Sequence, residues 1–335
     1  MDNNFKNMRV HLCKLVALGM LVLTGLALMG QTAVAQQWPT RPIKIIVPVP
    51  PGQGADIIAR FIAEHLAVAF GQPVIVDNKP GAGTMLGSEA AAKSAADGYT
   101  FLAAGSSALA INPHLYTKMA YDPLKDFAPI TQLVSIDFVL VVNPSLPVRN
   151  IADLIKLARE RPNGLTYGST GNGTTNHLAM ALFAAQNNIK LTHVPYKGSV
   201  PAMTDLVGGQ ISMIADSVAV VRPHIQSNRV RPIGITALKR SAIFPDLPTL
   251  DEQGVKGFAV STWTGLVAPI GTPAAILDRM STEVDKILRL PEAQQRIREL
   301  GMSPVGGSPQ QFNAYINAEY AKWAEAVKIS GAKIE

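Results

Sequence analysis

The chain has 335 residues, with 30 Lys and Arg against 24 Asp and Glu, one cysteine and six histidines. Its charges are scattered without a basic run, so nucleic acid is not an expected partner, and the mild positive balance suits a small anionic ligand. The dispersed histidines show no metal-ligand spacing, so no metal or cofactor is expected.

The N-terminus reads as a cleaved signal peptide. Lys6, Arg9 and Lys14 precede an apolar run, Leu15 to Gly30, and Ala33-Val34-Ala35 gives a small-residue cleavage pattern. The run is short for a membrane span and Gln31 interrupts it. Residues 1–35 are therefore assigned to the signal, and the product to the periplasm. Cleavage removes Cys13, so the mature chain is expected to carry no thiol or disulfide. Its remaining length suits two domains better than one core.

Strand and helix patterns then alternate. IKIIVP (43–48) and PVIVD (73–77) are short β-branched runs bounded by Pro, Gly or Asp. Between them Ile58, Phe61, Ile62 and Leu66 recur at helical spacing, with Arg60 and Glu64 opposite. A second helix, about 84–94, leads to the strand YTFLAA, and this order predicts a parallel sheet covered on both faces. The run 127–144 predicts one long buried strand. Four further helices (150–161, 175–187, 199–207 and 217–226) alternate with the strands LTYGS, LTHVP, ISMIAD and RPIGIT. A second extended run, 258–269, precedes helices at 273–289, 291–300 and 309–328. The last of these carries the stripe Phe312, Tyr315, Ile316, Trp323 and Val327. Two α/β lobes joined by two long extended runs predict hinged domains: residues 37–138 with 262–335, and residues 139–261.

Ligands in open α/β sheets bind outside the carboxyl ends of strands, which directs attention to the loops there. Pro50, Pro51, Gly52 and Gln53 combine a fixed approach angle with exposed backbone at a helix start, a setting for an anion or for a plain turn. KPGAGTMLG (79–87) misses the dinucleotide fingerprint by one residue, and no Walker pattern exists. Ser169, Thr170, Gly171, Asn172, Gly173, Thr174 and Thr175 gather hydroxyls, an amide and backbone donors in one loop. That set reads as carboxylate recognition, against a bare loop in which Thr174 or Thr175 caps a helix. Tyr196, in HVPYKG, is placed to wall a ligand, and Lys197 beside it to add charge or to stay solvated. Asp216 closes ISMIAD, as a cap or as an acceptor for a ligand's polar groups. No Gly-x-Ser-x-Gly elbow is present, and His177 reads as a core or capping residue before it reads as a base. An enzyme is not expected; a hydrolase would have to pair Ser169 with His177.

The runs RPIKIIVPVPPGQGADIIAR, VDNKPGAG, AADGYTFL, INPHLY, YDPLKDFAPIT, VVNPSLP, LTYGSTGNGT, HVPYKGS and SPQQF together resemble one group. It is the Bug or TctC-type family of extracytoplasmic solute receptors, which serve tripartite tricarboxylate transporters, and the resemblance covers residues 37–335. It implies a two-domain periplasmic binding protein fold (type II-like), with lobes closing on a small organic acid. The function so implied is capture of a (di)carboxylate by a monomer and its delivery to membrane transporter subunits; a sensory role for the loaded receptor is the alternative. The resemblance points to Pro50, Pro51 and Gly52 with Ser169, Gly171, Asn172 and Thr174 for the carboxylate, and places Tyr196 and Asp216 across the cleft. This chain departs from the family pattern at Val49, where an aromatic is common, at Gln53, where a glycine is common, and in the Ser-Val-Ala-Val-Val run after Asp216. Loss of the aromatic at Val49 suggests room for an aromatic carboxylate.

Overall fold

The computed structural model describes residues 38–334; the signal-peptide assignment lies outside them. Residues 41–334 form one compact unit. In the first part, β1 (Ile43–Val47), β2 (Val74–Asn78) and β3 (Thr100–Gly105) pair in parallel in the order β2-β1-β3. Helix α1 (Gly54–Phe70) packs on them, burying Ile58, Ile62 and Leu66, the i, i+4, i+8 stripe read from the sequence. Full burial of each such side chain contributes about 2 kcal/mol. Gly71 in the left-handed conformation ends the helix, its N–H donating to Ala67 O. Short elements follow: α2 (Met85–Ala92), a π turn at Ser107–Ile111 and α3 (Asn112–Leu115).

The long run at 127–144 is one strand, β4 (Phe127–Val142), and it changes partners midway. Residues up to Asp137 pair antiparallel with β9 (Ser261–Pro269), and part of this stretch also pairs with β10 (Ser303–Gly306). From Phe138 onward the partners are β7 (Met213–Ser217) and β8 (Arg231–Ile235). Beyond β7 lie β5 (Thr166–Ser169) and β6 (Thr192–Pro195), both parallel. The result is a ten-stranded sheet ordered β2-β1-β3-β9-β4-β7-β5-β6, with β8 and β10 on β4. The three strands of the early βαβαβ order are parallel, as that order predicts, and the sheet becomes mixed beyond them because β9 returns from far along the chain and inserts antiparallel between β3 and β4.

The helices of the second half are α4 (Ile151–Glu160), α5 (Thr175–Gln186), α6 (Ser199–Val207) and α7 (Val218–Gln226). The tail adds α8 (Ala274–Arg289), α9 (Pro291–Glu299) and α10 (Pro309–Ser330). The α10 stripe packs as its spacing predicts, with Phe312, Ile316, Trp323 and Val327 buried. This helix touches α5, the π turn and β4. Its fit on β9 is close: a Cβ at Gly265 would stand 2.1 Å from the Phe312 ring. Buried Glu319 fastens the contact, accepting from Trp263 Nε1 at 3.0 Å and Trp323 Nε1 at 2.9 Å and pairing with Lys322. A buried carboxylate is tolerable here because its charge and lone pairs are all answered.

Candidate functional site

The carboxyl ends of β1, β3, β5 and β7 lead to one cavity of about 480 Å³. Its polar wall comes from Ser107 after β3, Thr170 and Thr174 after β5, Ser199 at the start of α6, Asp216 and Ser217 at the end of β7, and Thr262 of β9. Apolar side chains share the lining: Ile57, Ile136, Phe138, Leu300 and Met302, with Ile136 beside Thr262 and Phe138 beside Ser217 in the strand register. Strand alternation explains the share taken by β4. Ile136 and Phe138 face this cavity, whereas Ser135 and Asp137 face a separate one of about 820 Å³ on the reverse side.

Four helices begin at the polar cavity: α1 at Gly54, α5 at Thr175, α6 at Ser199 and α7 just after Ser217. None has a side-chain cap, whereas α4 is capped by Asn150 and α10 by a Ser308–Gln311 capping box. Helices α8 and α9 also lack caps, so it is the convergence, rather than the missing caps, that marks the cavity. Each helix start offers N–H groups and a positive dipole end. No Lys or Arg is among the described lining residues. An anion held here is met by neutral donors and helix dipoles.

Asp216 is the sharpest polar feature of the wall. It is buried, its Oδ1 accepts from the Ser217 N–H at 2.7 Å, and its Oδ2 has no hydrogen-bond partner. Burial pushes its carboxyl pKa up; Ser199, the Ser217 N–H and Asn176 lie close enough to offset part of that rise. Asn176 is committed elsewhere, donating to Ala215 O at 2.7 Å and accepting from Thr170 Oγ1 at 2.9 Å. Asp216, a residue of the cavity lining, therefore keeps one buried oxygen without a partner, an acceptor or, once protonated, a donor.

The residues expected from sequence do not all meet. Thr174 and Asp216 line the cavity together. Pro50, Pro51, Gly52 and Gln53 are exposed on the approach to α1, and the Gly52 N–H donates to Asp56 Oδ2 at 2.8 Å; Gly54 and Ile57 take the lining positions. Ser169 is fully buried and bonds to His193 Nε2 at 2.7 Å. The Gly171 carbonyl accepts from Thr174 Oγ1 at 2.7 Å, which closes the turn. Asn172 lines another cavity, beside His177 and His193. Tyr196 donates to Asp205 Oδ2 at 2.7 Å and packs on a buried cluster that includes Ala202, Leu206 and Ile211. Val49 is half-buried, its carbonyl accepting from Asn78 Nδ2, and it is not among the lining residues.

The Ser169–His177 pair needed by a hydrolase does not form. His177 Nδ1 accepts instead from the Gly173 N–H at 3.1 Å, and the ring is buried. Ser107, Ser199 and Thr262 were missed by the sequence reading. Ser107 and Ser199 follow strand carboxyl ends, so the strand-end rule applied to β3 and β6 would have found them. Leu300 and Met302 carry no local signal of any kind.

The profile for the tripartite tricarboxylate transporter family receptor, TctC, matches residues 58–331. The chain belongs to this family. Among its relatives, Protein BugT of Bordetella pertussis is 36% identical over 302 residues, covering 90% of this chain and 93% of its own. An R. palustris protein solved with adipate is 37% identical with a TM-score of 0.75, covering 89% of this chain and all of its own. A TctC solute-binding protein from Polaromonas, solved without ligand, superposes with a TM-score of 0.78 at 26% identity, covering 87% of this chain and 99% of its own. MatC from Rhodopseudomonas palustris, solved with malate, is 28% identical with a TM-score of 0.70, covering 87% of this chain and all of its own. TctC-family neighbours are periplasmic binding proteins of two lobes, and the mixed sheet in which β4 changes partners is that fold. Among the described residues, no helix of this TctC-family chain is long and apolar enough to cross a membrane.

Proposed function

We propose that this chain is a periplasmic receptor that captures a small dicarboxylate with a hydrocarbon middle and delivers it to the membrane subunits of a tripartite transporter. The observation that carries this reading is the mixed lining of one cavity. Four helix starts and a set of hydroxyls line it together with apolar Ile57, Ile136, Phe138, Leu300 and Met302. One carboxylate sits against the helix starts without a counter-cation, as helix dipoles permit. The second approaches Asp216, whose burial favours a proton that the two acids can share. The apolar part of the lining favours an adipate-like spacer, aliphatic or aromatic, over a short hydroxy acid. The relatives solved with adipate and malate support the carboxylate class.

The lobes, 37–138 with 262–335 and 139–261, hinge where β4 exchanges β9 for β7 and β8, between Asp137 and Phe138. Ligand touching both sides stabilises the closed form by its greater affinity for it. No step makes or breaks a covalent bond, and in this reading the receptor acts as a monomer after removal of residues 1–35. The ligand reading is tested by thermal shift and calorimetry with adipate, succinate, malate and terephthalate at pH 7. Adipate or terephthalate is expected to raise the Tm by several degrees and to bind more tightly than malate. Binding of sugars or cations with no response to any diacid would refute it.

A further inference from the structure

The loop that carries Thr170 and Thr174 is held from behind by two histidines that face away from the ligand cavity. His177, in the first turn of α5, and His193, on β6, stack with ring centroids 3.9 Å apart and planes 7° from parallel. Tyr167 of β5 stacks on His193 at 4.9 Å. Each imidazole holds one end of the loop: His193 Nε2 meets Ser169 Oγ at 2.7 Å, and His177 Nδ1 accepts from the Gly173 N–H at 3.1 Å. Between these ends the hydroxyls of Ser169 and Thr174 both donate to Gly171 O, at 3.1 and 2.7 Å.

The bond from Gly173 is made only by a neutral His177. An Nδ1 that carries a proton cannot accept, so protonation there removes the anchor next to Thr174. Among the described residues, the charged groups facing the pair oppose that proton. The two rings cannot both be cationic at 3.9 Å, His177 sits at the positive end of α5, and Lys190 and Lys333 line the same side cavity. Among the described residues, no carboxylate lines that cavity, and Tyr167 is the only other titratable group there.

We infer that His177 and His193 are positioning residues for ligand capture, a proton-sensitive brace that holds the loop Ser169–Thr174 in its binding geometry only while His177 is neutral. The inference rests on the carboxylate reading for its ligand. Burial, with His193 adding to it, lowers the His177 pKa to about 4, and burial lowers that of His193 as well. The sign follows. A loop released from the brace leaves His177 near its ordinary value of about 6.5, so protons favour the released loop. Affinity is complete above about pH 6.5 and declines as the pH falls toward 4.

Two measurements test this. The first is the pH dependence of adipate affinity, by calorimetry between pH 7.5 and 5, in wild type, His177→Gln and His177→Phe. Ionisation of adipate itself is common to all three, so the differences between them carry the answer. Gln keeps an uncharged acceptor for Gly173, whereas Phe keeps the ring stack and loses the acceptor. Wild type is expected to lose about tenfold more affinity on acidification than His177→Gln. His177→Phe is expected to bind more weakly than His177→Gln at every pH. A merely packed histidine predicts the reverse, Phe tolerated better than Gln; that order, or a wild-type slope in His177→Gln, overturns the inference. The second measurement is the Gly173 amide resonance of the ligand-free wild type, followed by NMR from pH 7.5 down to 4, through the window in which the brace yields. It is expected to titrate together with the His177 ring protons, and independence of the two overturns the brace. Adipate failing to bind wild type at any pH, while Gly173 still titrates with His177, refutes the carboxylate reading and leaves the brace standing.

Discussion

Two strand-to-helix loops of this molecule, 48–56 and 169–176, are built from similar small and polar residues and are held in opposite ways. The first is tied by an anion. Buried Asp56 accepts from the Gly52 N–H at 2.8 Å, Arg60 Nε at 3.0 Å and Asn78 Nδ2 at 2.9 Å. Burial raises its pKa, but the bonds from Gly52, Arg60 and Asn78 outweigh that and hold the carboxyl below its ordinary value. The second loop is tied by neutral imidazoles whose pKa values burial lowers. Acid loosens both, by removing a charge from one and adding a charge to the other. The two failures fall in different windows, near and below pH 4 for Asp56 and between about 6.5 and 4 for His177. The loop that lines more of the cavity is the one that yields first.

The largest effect should come from breaking the anionic tie. Asp56→Ala strands the Gly52 N–H and the Asn78 amide and removes the Arg60 partner, at a cost of about 2–3 kcal/mol. Urea unfolding at pH 7 measures it. A folded pKa below the unfolded one means that Asp56 stabilises fully above about pH 3.9 and less as the pH falls through the folded value. The gap between variant and wild type should therefore close in acid, and a gap that widens would contradict the assignment.

Asp216 should respond in the opposite sense. Its folded pKa is raised, so the ionised form costs stability above that value, while below about pH 3.8 the cost is absent. Asp216→Asn removes the cost and should stabilise the ligand-free protein at pH 7, a gain that vanishes at low pH. Adipate affinity should fall about tenfold at the same time, because the amide cannot share a proton with a ligand carboxyl. A residue that stabilises when replaced and binds worse when replaced is held in place by function.

Much of the fold is legible in the sequence because burial imposes a period. The stripe of α1, the stripe of α10 and the sixteen-residue run of β4 all follow from apolar spacing. β10, Ser303–Gly306, is four residues with a proline and no alternation, and it exists only because β4 offers it an edge. In the π turn Ser107–Ile111 the four residues after Ser107 are all apolar and buried, so no face announces its helical form. The site is legible at the level of loops and illegible within them. Gly171 and Gly173 take φ of +137° and +73°, and these left-handed turns decide which neighbours face the ligand. Asn172 consequently points to the histidine side, and Thr174 to the cavity. Composition cannot resolve two polar residues a single position apart from centre across such a turn.

That orientation gives the smallest and most discriminating test of the comparison. The Thr174 hydroxyl donates to Gly171 O while its residue opens α5 at the cavity. Thr174→Val keeps the shape and removes that bond, and adipate affinity should drop about fivefold, as expected for one hydrogen bond of about 1 kcal/mol. Asn172→Ala touches an exposed side chain on the far face and should leave affinity within about twofold, the usual result for a surface change away from any special feature. Calorimetry on the pair decides between two orientations of one loop. The reverse order, with Asn172 mattering more than Thr174, would mean that the ligand-bound loop turns its other face to the cleft and that the histidine brace must release for it to do so.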